Sequence, residues 1–126
     1  MLDFSKNAVF NLKKIPDSDM NKNVNCLLIE NESVIGVYKT IRDQVVFTNK
    51  RIITIDVQGI MGKRQEFFTL PYSKIQYFGV QTVGFAELIP DSELDLFFTN
   101  GMKAVFEFKG QCDILEIGKT ISRFTL

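Results

Sequence analysis

The chain has 126 residues, 15 lysines and arginines against 15 aspartates and glutamates, two cysteines and no histidine. That length suits one domain able to bury a core without metal or disulfide staples, and the balanced charge removes the overall field by which nucleic-acid binders attract phosphates. Isolated cysteines and the missing histidine argue against a zinc site or a His-activated nucleophile, so no cofactor is expected, and Cys26 and Cys112 read as reduced, buried structural thiols.

The opening MLDFSKNAVFNLKK lacks the charged and then long apolar layout of a secretory signal. Residues 4–29 read as helical, with Pro16, Asp17 and Asp19 suiting the first turn of a second helix and Val24, Leu27 and Leu28 at its apolar end. After Glu30–Asn31–Glu32 the pattern changes to short β-rich runs. Strands are expected over 33–41, 44–48, 51–57, 65–70, 75–84, 92–98 and 102–109. Ile75 to Ala86 is charge-free but well short of the ~20 residues of a membrane helix.

Alternation supports the last two strands: Leu94, Leu96 and Phe98 share one face, as do Met102, Ala104, Phe106 and Phe108. Asn100–Gly101 between them signals a hairpin of type I′, whose two central residues need positive φ. The chain closes with a helix. Asp113 and Glu116 are spaced like a capping box, and Ile114, Ile117, Ile121 and Phe124 form one stripe to be buried against the strands.

Three stretches, IRDQVVFTNKRIITIDVQGIMGKRQEFFTLPYSKI, TVGFAELIPDSELDLFF and DILEIGKTISRFTL, resemble the small stand-alone bacterial pleckstrin-homology (PH) domain proteins. The resemblance implies a mainly β fold: a PH-like seven-stranded antiparallel barrel at 30–126 capped by the C-terminal helix, with an N-terminal helical segment at 1–29. It also implies a cytoplasmic, non-enzymatic protein whose ligand is unassigned. Members resembling this chain tend to form homo-oligomeric rings, so the partner expected first is another copy. An unknown protein partner is a further expectation, whereas nucleic acid is not expected and membrane lipid is not favoured.

In Thr48–Asn49–Lys50–Arg51, turn chemistry accounts for all four residues, with Asn49 able to take left-handed φ and both cations solvated. The ligand-bearing loops implied by the resemblance lie at the other end. Lys39, Arg42, Lys63, Arg64 and Lys103 are the weak anion-binding candidates there, with Asp43 offsetting part of their charge. Asp91, Glu93 and Asp95 share a strand face but are spaced too widely to converge on a cation. Gly59–Ile60–Met61–Gly62–Lys63 lacks the spacing of a phosphate loop.

The adjacent apolar pairs Phe67–Phe68, Tyr77–Phe78 and Phe97–Phe98 carry more information, as do Val45–Val46–Phe47 and Ile52–Ile53. Neighbours on a strand point to opposite faces, so one interior cannot hold them all. The outer members must be covered by the N-terminal residues or by another subunit.

Overall fold

The computed structural model describes residues 8–82 and 91–126. Its strands are β1 (Ala8–Ile15), β2 (Val34–Lys39), β3 (Gln44–Thr48), β4 (Arg51–Gln58), β5 (Arg64–Pro71), β6 (Ile75–Thr82), β7 (Ser92–Phe98) and β8 (Lys103–Phe108), followed by helix α1 (Ile114–Thr125). They join in one sheet of order β5-β4-β3-β2-β1-β8-β7-β6. Strands β2 to β8 are the seven read from the sequence. The expected continuation to residue 84, and residues 4–7 of the expected helix, lie outside the described residues.

Among the described residues the expected N-terminal helices are replaced by a strand and two short 3₁₀ turns. Residues 8–15 form β1, antiparallel to β2 and parallel to β8, and thereby join the two halves of the sheet. The helical reading rested on Pro16, Asp17 and Asp19, which start only a short 3₁₀ turn, and the strand before them is disguised by a bulge. Val9 pairs with Phe106 and Leu12 with Phe108, so three residues on β1 span two on β8, and Asn11 takes up the excess at φ 59°. Both Val9 and Leu12 are therefore buried despite their odd spacing. Downstream, Pro16 leads into a single 3₁₀ turn at Asp17–Asp19, and a second runs over Lys22–Cys26. Asn21 caps this second turn, its side chain accepting from the Asn23 N–H.

These turns form a lid on the outer face of the sheet. Val24 packs with Val37, Val46, Ile53 and Ile55 in a second apolar layer, and Phe67 lies against it. Polar bonds fix the lid: the Asn21 N–H donates to Gln44 Oε1 at 2.8 Å and its side-chain amide to Gln65 Oε1 at 2.9 Å. The doubled apolar positions of β3 and β4 are thus covered within the chain.

The inner core holds Tyr38, Phe47, Phe106 and Phe108, with Tyr38 meeting Phe108 edge-on at 4.9 Å. Helix α1 buries Ile114, Ile117 and Ile121 against it, as expected. Phe124 does not complete the stripe. It is 46% exposed, its ring 5.7 Å from that of Tyr72, and Thr120 takes the remaining buried position on the helix.

Two local expectations are also corrected. In the β7–β8 hairpin only Gly101 has positive φ (88°), and the Phe98 N–H donates across a three-residue loop to the Met102 carbonyl at 2.8 Å. This is a loop with a left-handed glycine at its end rather than a two-residue I′ turn. Asp113 stands at the N-cap of α1 but its side chain makes no cap bond, because its Oδ2 accepts from Lys14 Nζ at 2.5 Å. That ion pair ties α1 to β1.

Candidate functional site

Strands β2 to β5 are consecutive neighbours, which places the β2–β3 turn beside the β4–β5 loop. Two bonds lock them together. Asp43, buried at the turn, accepts the Val57 N–H at 2.8 Å, and Arg42 Nη2 donates to the Gly59 carbonyl. Gly59 and Gly62, at φ 84° and 65°, bend the loop so that Ile60 and Met61 form its tip.

Four of the five anion candidates meet at this rim. Lys39 ends β2, Arg42 sits in the turn, Lys63 in the loop, and Arg64 begins β5, all of them exposed. Arg64 lies 3.6 Å from Glu66, largely in solvent, where such a pair contributes little. Sequence reasoning missed the apolar members of the rim: Ile41 is 96% exposed, Ile60 102% and Met61 77%. The signal was present as two large apolar residues between glycines in a connection that nothing in the fold needs to bury.

Lys103 stands elsewhere. It lines a groove with Leu70, Pro71 and Lys74, at the end of β5 opposite Arg64, about 20 Å along the strand. Its ammonium lies over the Phe97 ring, 5.2 Å from the centroid. Phe97 in turn stacks on Tyr77 at 4.3 Å and an interplanar angle of 7°, and Tyr77 is 57% exposed.

The Thr48–Arg51 hairpin is a turn, but Arg51 is not a solvated cation. Its Nη1 donates to Thr69 Oγ1 at 3.0 Å and its Nη2 reaches the Leu27 carbonyl, while its remaining donors hold Glu32. Asn49 does not take left-handed φ. It accepts the Ser33 N–H at 2.8 Å and donates to the Asn31 carbonyl at 2.9 Å, and it is Asn31 that adopts φ 63°. Burial pushes the Glu32 carboxyl up. Hydrogen bonds from Arg51, Thr48 and the Ile29 N–H, with the charge of Arg51, outweigh that and hold it below its ordinary value.

The acids at 91, 93 and 95 separate into different roles. Asp91 accepts the Gly110 N–H at 2.8 Å and Lys109 Nζ at 3.2 Å. Glu93 faces Glu107 across the ladder, and its carboxyl is raised by its hydrogen bond with Asp95, by burial and by both neighbouring negative charges. Asp95 accepts from Gln81 Nε2 at 3.2 Å. Among the described residues, no three acidic or thiol side chains group as a metal would require.

Cys26 is exposed rather than buried, since its 3₁₀ turn runs over the outer lid. Cys112 is half-buried, and burial raises its thiol, which stays protonated at neutral pH.

The model of the family described as bacterial PH domain matches residues 3–125. Over 98 residues the chain is 41% identical to the uncharacterized protein YjqA of Bacillus subtilis, covering 76% of this chain and 77% of that one. It is 32% identical over 116 residues to YozO of the same organism, covering 92% and 96%. A crystal structure of a DUF1696 family protein with a pleckstrin-homology domain from Shewanella loihica superposes with a TM-score of 0.73 at 34% identity, covering 94% of this chain and all of that one. A pleckstrin homology domain from Shewanella amazonensis gives 0.59 at 35% identity, covering 89% and 90%.

Proposed function

The chain belongs to the bacterial PH domain family, and from that membership we propose that it is a non-enzymatic binding and scaffolding module that assembles with copies of itself. The observation that carries this reading is the Tyr77–Phe97 stack. The N-terminal lid covers the outer apolar residues of β2 to β4, yet this aromatic pair stands outside, on the last two strands at one end of the sheet. Exposed aromatic area of this kind marks a contact surface. A head-to-tail contact between unlike surfaces closes into a ring when its rotation divides a full turn.

Light scattering coupled to size exclusion tests it. The expected mass is a multiple of 14.4 kDa, falling to the monomer when Tyr77 and Phe97 are both replaced by serine. A wild type that runs as a monomer at micromolar concentration overturns the reading.

A second reading is favoured by the rim. Ile41, Ile60 and Met61 project beside Lys39, Arg42, Lys63 and Arg64, the combination by which a peripheral module inserts apolar tips among anionic head groups. In this reading the rim holds a membrane surface, and Lys103 takes no part.

A further inference from the structure

We propose that the groove between α1 and β6 is a docking site for an extended, acidic and apolar peptide, which adds to the sheet as a further strand beside β6. Strand β6 is the last in the sheet, so among the described residues one row of its backbone N–H and C=O groups has no ladder partner. Its side chains are mostly exposed. Such an edge takes up an extended chain through main-chain bonds, while alternate side chains of the guest enter whatever lies alongside.

What lies alongside is α1. The groove between them has a volume of about 470 Å³ and is floored by Phe78, Val80, Ile114 and Gly118. Val80 is 37% exposed, and Leu115 on the helix flank is 73% exposed. Gly118 sets the depth. A β-carbon there would lie 3.7 Å from Val80 and 3.9 Å from Phe78, which is ordinary contact, so packing does not demand glycine. A glycine inside a helix is disfavoured without such a demand, and here its effect is to leave room above the sheet.

The rim of the groove fixes the charge of the guest. Lys119 and Arg123 border it. Arg123 reaches Glu116 at 3.8 Å, and no acidic side chain of the described residues pairs with Lys119. The guest therefore carries carboxylates toward the helix and an apolar side chain over Gly118. Tyr77 and Phe97 lie on the other face of β6 and β7, so this site stands independently of the self-assembly reading.

The test is fluorescence anisotropy on the full chain with a short fluorescein-labelled peptide of alternating glutamate and leucine, beside a lysine–leucine peptide of the same length. The expected result is saturable, salt-sensitive binding of the acidic peptide alone, with slowed hydrogen exchange of the β6 amides. Gly118→Leu, which fills the groove, and Lys119→Glu, which reverses its rim, should each weaken binding about tenfold or more, while Lys119→Arg retains it. Lys119→Glu is a surface change, so its effect remains readable if Gly118→Leu fails to fold. Absence of saturable binding, equal binding of the lysine peptide, or indifference to both variants overturns the proposal. Protection of β6 by raised protein concentration alone, with the peptide excluded, would assign the groove to a second copy and overturn it as well.

Discussion

Arg51 grips Glu32 by two hydrogen bonds, Nε to Oε2 at 2.9 Å and Nη2 to Oε1 at 3.0 Å, and the Glu32 side chain is wholly buried beneath it. Thr48 adds its hydroxyl to the same carboxylate at 2.6 Å. The pair clamps the start of β4 to the turn that leads into β2, and the guanidinium extends the clamp to Leu27 and Thr69. A cation that looks like turn decoration in the sequence is a tie between the lid and the sheet.

Replacing Arg51 by Gln should therefore destabilise the fold by about 3 kcal/mol or more, because it leaves a buried carboxylate without its counter-charge. Lys50→Gln should stay within about 0.5 kcal/mol, as exposed substitutions do. Urea denaturation of the two single variants separates them, and equal midpoints would refute the clamp.

The same pair has a pH signature. Glu32 is held below its ordinary value of 4.5 in the folded chain, so its contribution is fully present above that value and is lost as pH falls through the lower, folded value. Denaturation measured from pH 7 downward should show wild type losing stability relative to Glu32→Gln in this acid range. A constant difference between the two across that range would contradict the assignment.

Removing residues 1–29 should abolish cooperative folding, although those residues read in the sequence as a separate helical segment. Strand β1 is the element that joins β2 to β8, and without it Tyr38 and Phe108 lose the cover of Val9 and Leu12. The expected product has weak near-ultraviolet circular dichroism and no sharp urea transition. A truncated chain with native-like spectra would show that the two halves close without their link.

For the rim, sedimentation with anionic vesicles is expected at low salt and should be reduced at physiological salt. Each apolar tip inserted contributes about 1.5–3 kcal/mol and each nearby cation about 1 kcal/mol. Ile60→Ser with Met61→Ser, and separately Lys63→Gln with Arg64→Gln, should both release the protein, whereas Lys103→Gln should not. Sedimentation that ignores the rim pairs would exclude a membrane role for this end.

The strands from β2 onward were legible because each is a short β-rich run between turn residues, a local property, and β7 and β8 add a clear period of two. Strand β1 was not, because its bulge at Asn11 shifts Leu12 onto the wrong phase and one of its two partners, β8, is remote in sequence. The rim cations were legible as residue types, but Lys103 was assigned to the wrong end because β8 runs parallel to β1, so that its last residue, Phe108, and not its first, Lys103, lies toward Lys39. Arg51 was misread because its acid is nineteen positions away, and no local pattern announces a pair across a turn.

The parallel pairing of β1 with β8 also bears on how the chain is made. Residues 8–15 leave the ribosome well before their partner, Lys103–Phe108. At about 5–20 residues per second the wait is on the order of 5–20 s. During it the antiparallel meander β2 to β5 can pair with β1 along one side, while the other side of β1 stands open in the middle of the future sheet. The nascent chain thus carries a temporary edge where the finished protein has none, and early capture of that edge by another polypeptide is the hazard this topology accepts during synthesis.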